Sequence, residues 1–122
     1  MEFHYTSEIN VQIVLALLKE NGIKKVIVSP GATNESIVAS MQYDPYFQMY
    51  SCVDERSAAY MACGMAAESK EPVVLSCTGA TSSRNYLPGL TEAYYRHLPI
   101  LAITSSMDNN KIGHLYPQCT DR

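Results

Sequence analysis

The sequence predicts an α/β domain: a doubly wound, mainly parallel sheet with helices on both faces, truncated before it is complete. Three observations predict it. Short β-branched segments alternate along the chain with segments of helical length and pattern, as in βαβ units. The strand segments are apolar throughout rather than alternately polar, which suits a sheet covered on both faces. The 122 residues can build one hydrophobic core and are too few for two.

The elements follow in order. Residues 7–20 place Ile9, Ile13, Val14, Leu17 and Leu18 at helical spacing, with Thr6 or Ser7 available as N-cap. Asn21-Gly22 supplies a left-handed C-cap. Residues 25–29 are a β-branched strand stopped by Pro30-Gly31, and Asn34 can cap a second helix to about Met41. Residues 47–53 read as the next strand, and Asp54 starts a helix that runs to about Glu68. Residues 73–77 form a third strand, followed by a polar loop, a helix over 85–96 and a fourth strand over 99–104. The segment after Thr104 reads as a loop, and the last eight residues form no obvious element. A doubly wound domain usually has about five or six strands. Residues 1–122 are therefore expected to be a single, incomplete domain with an exposed sheet edge.

Composition narrows the function classes. Nine Lys and Arg against twelve Asp and Glu leave a net charge of −3, without the basic excess that nucleic-acid binding uses. The longest strictly apolar run, residues 13–18, is far short of the roughly 20 residues that span a bilayer. The first six residues carry no basic or apolar leader pattern. A cytoplasmic domain with no nucleic-acid or membrane partner is expected. Cys52, Cys63, Cys77 and Cys119 never pair as Cys-x-x-Cys and read as reduced thiols. His4, His97 and His114 are scattered, and none stands beside a Cys at ligand spacing, so no metal site is expected.

In an open parallel sheet, ligands bind beyond the carboxyl ends of the strands. The segments found there are 29–34, 54–56, 78–85 and 105–106. Three are polar, hydroxyl-rich loops suited to anions and hydrogen-bonding ligands. The acidic segment has two explanations. Asp54 caps a helix, and Glu55 in the first turn complements the helix dipole. Alternatively, Glu55 is a half-buried carboxylate at a strand-to-helix corner, placed to bond a protonated ring nitrogen. The following helix is nearly bare: Ser57, Ala58, Ala59, Ala62, Gly64, Ala66 and Ala67 let another backbone approach closely, from the sheet or from a second subunit. Met61 and Met65 read as core filler. The 78–85 loop can equally be a plain connection in which Ser82 or Ser83 caps the next helix. Phosphate-loop, dinucleotide-binding and Gly-x-Ser-x-Gly signatures are missing.

The run Val53-Asp54-Glu55-Arg56-Ser57-Ala58-Ala59-Tyr60-Met61-Ala62-Cys63-Gly64-Met65-Ala66 resembles the glutamate-bearing helix of thiamine-diphosphate enzymes. It lies between Ser29-Pro30-Gly31 and the stretch from Cys77-Thr78-Gly79-Ala80-Thr81 to Glu92-Ala93-Tyr94-Tyr95, with Leu98-Pro99-Ile100-Leu101 behind. In that order these motifs resemble the N-terminal pyrimidine-binding domain of the acetolactate synthase and pyruvate decarboxylase superfamily. Within it, the menaquinone-pathway synthases are the most similar branch. The likeness covers residues 8–121. Two features depart from it: Ala32-Thr33-Asn34 stands where those synthases continue Ser-Pro-Gly with Ser-Arg, and no Gly-Pro-Gly turn follows the third strand.

The resemblance implies an enzyme, a lyase or transferase that decarboxylates or ligates a 2-oxo acid. It implies that Glu55 bonds N1′ of the cofactor's aminopyrimidine and favours its imino tautomer. Pro30, Gly31, Thr78, Thr81, Asn85 and Gln118 would line the same cleft. The cofactor would be thiamine diphosphate with Mg²⁺. The family's Gly-Asp-Gly…Asn motif for Mg²⁺ is absent here, so the metal ligands are expected outside this chain. The chain alone is then expected neither to bind the cofactor tightly nor to catalyse. Expected partners are a second copy of the pyrimidine-binding domain, packed on the 57–67 helix in a homodimer or larger homo-oligomer, and a diphosphate-binding domain. Two alternatives stand beside this: the alpha subunit of a split thiamine-diphosphate decarboxylase, and a non-catalytic binding or assembly module of the same fold.

Overall fold

The computed structural model describes residues 5–116 and Cys119. Among them are four strands in one sheet, β1 (Lys25–Val28), β2 (Gln48–Ser51), β3 (Val73–Thr78) and β4 (Ile100–Ser105), in the spatial order β2-β1-β3-β4. Every pairing is parallel, with Lys25 opposite both Gln48 and Val73, and Val73 opposite Ile100. The helices are α1 (Ile9–Glu20), α2 (Glu35–Tyr43), α3 (Glu55–Ser69), α4 (Thr81–Arg84) and α5 (Leu87–Arg96), with short 3-10 turns at Ala32–Asn34 and Asn109–Lys111.

The pleat divides the core into two layers. Val26, Val28 and Val74 pack with Leu15, Leu18, Ile37, Met41 and Phe47, the layer of α1 and α2. Ile27, Val73, Leu75 and Cys77 face the other way, onto Ala58, Ala59, Ala62, Ala66 and Tyr86 of the α3–α5 layer. The expected doubly wound sheet is therefore present. Only the central strands are as apolar and buried as expected: β3 is buried along its whole length, whereas β2 is mostly exposed. β2 and β4 are edge strands, with Leu101 on β4 43% exposed.

Several local expectations need correction. α1 is not capped by Thr6 or Ser7; Glu8 precedes it without a side-chain cap. The Thr6 hydroxyl instead accepts from the Glu8 N–H, and Gln12 Nε2 donates to the Thr6 carbonyl. The buried stripe of α1 is Leu15 and Leu18 with Val11 and Val14, while Ile9, Ile13 and Leu17 are exposed. The helix carries two apolar stripes, and spacing alone cannot say which one meets the sheet. The left-handed C-cap is there, at Gly22 (φ 69°). Ile23 N–H bonds the Leu18 carbonyl and Gly22 N–H that of Lys19, the paired bonds of a Schellman end.

Asn34 precedes α2 but makes no cap bond; its side chain is buried and turned inward. Asp54 does cap α3, accepting from the Ser57 N–H at 2.8 Å and the Ser57 hydroxyl at 2.6 Å. The helix expected over 85–96 is α5, which starts at Leu87 because Pro88 fits only the first turn of a helix, and the segment expected as a polar loop holds the short helix α4. The bare face of α3 is used within the chain. Ala58, Ala59, Ala62 and Ala66 are buried against the sheet and α5, and a Cβ built on Gly89 would stand 2.4 Å from the Ala59 Cβ. Tyr60, Met61 and Gly64 remain on the outer face, so Met61 is not core filler.

Candidate functional site

β1 and β3 are neighbours whose continuing chains leave on opposite faces, β1 into α2 and β3 into α4 and α5. That divergence opens a crevice beyond their carboxyl ends. Three braces shape it. Asn34 Oδ1 accepts from the Gly31 N–H at 3.0 Å, while its Nδ2 donates to the Ser29 carbonyl and to Ser76 Oγ on β3. Thr33 Oγ1 donates to the Ser105 carbonyl at the end of β4. Ser29 Oγ donates to the Cys52 carbonyl at 2.7 Å, tying the end of β1 to the corner from which α3 starts.

Glu55 is the first residue of α3 and is partly buried. Its Oε2 accepts from Asn85 Nδ2 at 3.3 Å; Oε1 has no partner among the described residues. Asn85 stands between α4 and α5, so the β2–α3 and β3–α5 connections meet at this pair. Tyr86 follows, fully buried. Burial pushes its phenol far above the usual range, and the neighbouring Cys77 thiol and Glu55 charge push the same way against Ser29. The phenol lies against Ser29 and Cys77 yet makes no hydrogen bond among the described residues. Both neighbours donate elsewhere, Ser29 to the Cys52 carbonyl and Cys77 to the Thr78 carbonyl.

The other expected site residues divide into two groups. Thr78 and Thr81 line a cavity of about 530 Å³ beyond β3, together with Gly79, Ser82, Arg84 and Cys119. Pro30 and Gly31 open onto a separate depression of about 550 Å³ against α2. The groups touch where Gly31 meets Thr78: a Cβ built on Gly31 would stand 2.2 Å from Thr78 Cγ2. Thr78 is largely buried, and its hydroxyl donates to Ser82 Oγ. Glu55 lines neither depression. Gln118 lies outside the described residues.

Three residues were not singled out by sequence reasoning. Asn34 reads as a cap, and only its burial reveals the brace. Tyr86 carries no signal beyond being aromatic. Arg84 could have been found, as the one charged residue in the hydroxyl-rich 78–85 segment. Among the described residues, no group of three His, Cys, Asp or Glu is placed to hold a metal ion. No described helix is long and apolar enough to cross a membrane.

Comparison with known proteins gives this crevice its context. The family described as "Thiamine pyrophosphate enzyme, N-terminal TPP binding domain" matches residues 10–122. The chain belongs to this family. Among curated relatives, the 2-succinyl-5-enolpyruvyl-6-hydroxy-3-cyclohexene-1-carboxylate synthase of Porphyromonas gingivalis is 38% identical over 105 residues, 86% of this chain and 18% of the relative. The synthase of the same name from Bacteroides thetaiotaomicron is 36% identical over 114 residues, 93% of this chain and 20% of the relative. The thiamine pyrophosphate enzyme domain described here thus spans about a fifth of the length of these relatives. Among solved structures, the thiamine diphosphate-dependent 4-hydroxybenzoylformate decarboxylase of Rhodococcus jostii RHA1 superposes with a TM-score of 0.81 at 21% identity, over 89% of this chain and 20% of that one. The benzoylformate decarboxylase of Polynucleobacter necessarius gives 0.79 at 18%, with the same coverage. At those identities the structural likeness shows the fold.

Proposed function

We propose that residues 1–122 are the pyrimidine-binding part of a larger thiamine-diphosphate-dependent enzyme that decarboxylates or ligates a 2-oxo acid. The carrying observation is the Glu55–Asn85 pair, where the β2–α3 and β3–α5 connections meet. Asn85 Nδ2 holds one carboxylate oxygen and leaves Glu55 Oε1 to accept from a protonated ring nitrogen. The residues present therefore fit that end of the cofactor.

When bound, thiamine diphosphate supplies a thiazolium carbon that adds to the 2-oxo acid carbonyl. Glu55 would accept a hydrogen bond from the protonated ring nitrogen and so favour the imino tautomer. Asn85 orients Glu55. Ser29 fixes the α3 corner through the Cys52 carbonyl, and Gly31 packs closely on Thr78 between the two depressions.

A diphosphate with Mg²⁺ needs several oxygen ligands, and these would come from a separate domain of the intact protein. A second copy of the pyrimidine-binding domain completes a homo-oligomer in this reading. The thiols, unpaired among the described residues, suit a reducing cytoplasm.

The test is Glu55→Gln in the intact enzyme, read as hydrogen–deuterium exchange at C2 of the bound cofactor. Exchange should slow about a hundredfold or more, the scale of a lost general acid–base, with the unfolding midpoint unchanged. Unchanged exchange would overturn the assignment. The 122-residue chain alone should show no tight thiamine diphosphate binding by calorimetry; a micromolar Kd refutes that part.

A further inference from the structure

We infer that Arg84, with Thr81 and Ser82, forms a subsite for a substrate carboxylate in the cavity beyond β3. This deepens the reading of the crevice as a 2-oxo acid site by naming the acidic class of substrate that it takes.

Arg84 is an exposed cation without an ion-pair partner among the described residues. The ion pairs of the described residues are Lys19–Asp44, Lys25–Glu71 and Arg96–Glu92. Arg84 takes part in none of them and makes no hydrogen bond to a described residue. Glu55 bonds Asn85 and makes no ion pair with Arg84. Among the described residues no Asp or Glu lines the cavity, so an anionic ligand there would meet a cation and no described carboxylate.

The rest of the lining points the same way. Ser82 Oγ accepts from Thr78 and keeps its own proton for a further acceptor. The Thr81 hydroxyl is without a partner among the described residues. Two hydroxyl donors and a planar guanidinium fork match a planar anion, which Arg binds through two parallel N–H···O bonds. One cation balances one carboxylate, whereas a phosphate dianion would stay half-neutralised.

The loop holds this shape under strain. Ala80 sits at φ 59°, ψ −118°, a backbone region that favours glycine and costs about 1–3 kcal/mol for other residues. Gly79 lies close under Ser105, with a built Cβ at 3.2 Å from its carbonyl oxygen. Such strain gathers where a loop is shaped for a ligand. Arg84 also directly precedes Asn85, so a carboxylate held there lies next to the residue that orients Glu55.

Arginine modification tests the proposal without relying on turnover. The intact protein is treated with phenylglyoxal, with and without succinate, and each arginine is followed by tryptic peptide mass. Succinate at ten times its Kd should slow modification of Arg84 about tenfold by mass action. The exposed Arg56 and Arg96 should react as before. Equal protection at all three, no protection, or protection by inorganic phosphate at lower concentration than by succinate would overturn the carboxylate subsite. The same experiment in Glu55→Gln separates the two readings. Protection that persists while C2 exchange is unaffected by that substitution leaves the subsite standing and removes the Glu55 assignment. Slowed exchange without Arg84 protection does the reverse.

Discussion

Gly31 and Thr78 meet with no room between them: a Cβ on Gly31 would lie 2.2 Å from the Thr78 methyl. The Gly31 backbone is extended (φ −168°), so a larger residue suffers no backbone strain there and any cost is steric. Thr78 is β-branched and largely buried, and Ser82 holds its hydroxyl, so the methyl cannot swing aside. Gly31→Ala should destabilise by about 1–3 kcal/mol, the range for overpacking a filled site. Adding Thr78→Ser removes the methyl and should recover most of the loss. Urea midpoints of the single and double variants check the coupling.

Asn85 is exposed, and its bond to Glu55 lies at the surface end of the crevice. Asn85→Ala should change stability by less than about 0.5 kcal/mol, as surface substitutions do. C2 exchange should nonetheless fall several-fold, because Glu55 loses its orienting donor. An unchanged exchange rate would show that Asn85 does not position the carboxylate.

Tyr86 presents a different prediction. Its hydroxyl is buried without a hydrogen bond among the described residues, and leaving such a group unpaired costs about 1–3 kcal/mol. Tyr86→Phe should keep the packing and raise the unfolding midpoint. A fall in stability would mean that the phenol has a partner in solution.

Alkaline pH should weaken the fold. Burial, the largest cause in each case, raises the Cys63 and Cys77 thiols above their ordinary 9.0, and raises the Tyr86 phenol well above 10.0. The native state therefore keeps protons that the unfolded chain releases. Stability is complete below about pH 9 and is lost as pH climbs from there through the folded values, by up to about 1.4 kcal/mol per pH unit for each group. Urea midpoints between pH 7 and 11 check this. Tyr86→Phe should flatten the part of the loss above pH 10.

Much of the scaffold was legible because local signals agreed with tertiary fate. Residues 73–77 read as a strand and are buried from end to end, and Asp54 read as a cap and is one. Gly22 ends α1 in the left-handed conformation that its sequence asks for. The failures share one cause, namely that several outcomes compete for the same residue. Asn34 can cap a helix or brace a loop, and the nearby Ser76 and Gly31 decided it. Ile9 and Ile13 had helical spacing, but Leu15 and Leu18 took the sheet. For the site, the pairing of Glu55 with Asn85 is a contact across 30 positions that no local pattern contains. The resemblance implied only that both residues border one cleft, not that they bond.

The order β2-β1-β3-β4 has a consequence for the time at which the site comes into being. β1 reaches β2 through α2, but its other neighbour, β3, begins only at Val73. Pairings this distant in sequence form slowly. A nascent chain emerging as far as α3 would already hold β1, β2 and Glu55 but would have no crevice. The partner of Glu55 and the far wall arrive together, with the segment from β3 to Asn85. Cofactor recognition is thus a late event in the life of the chain, gated by one crossover.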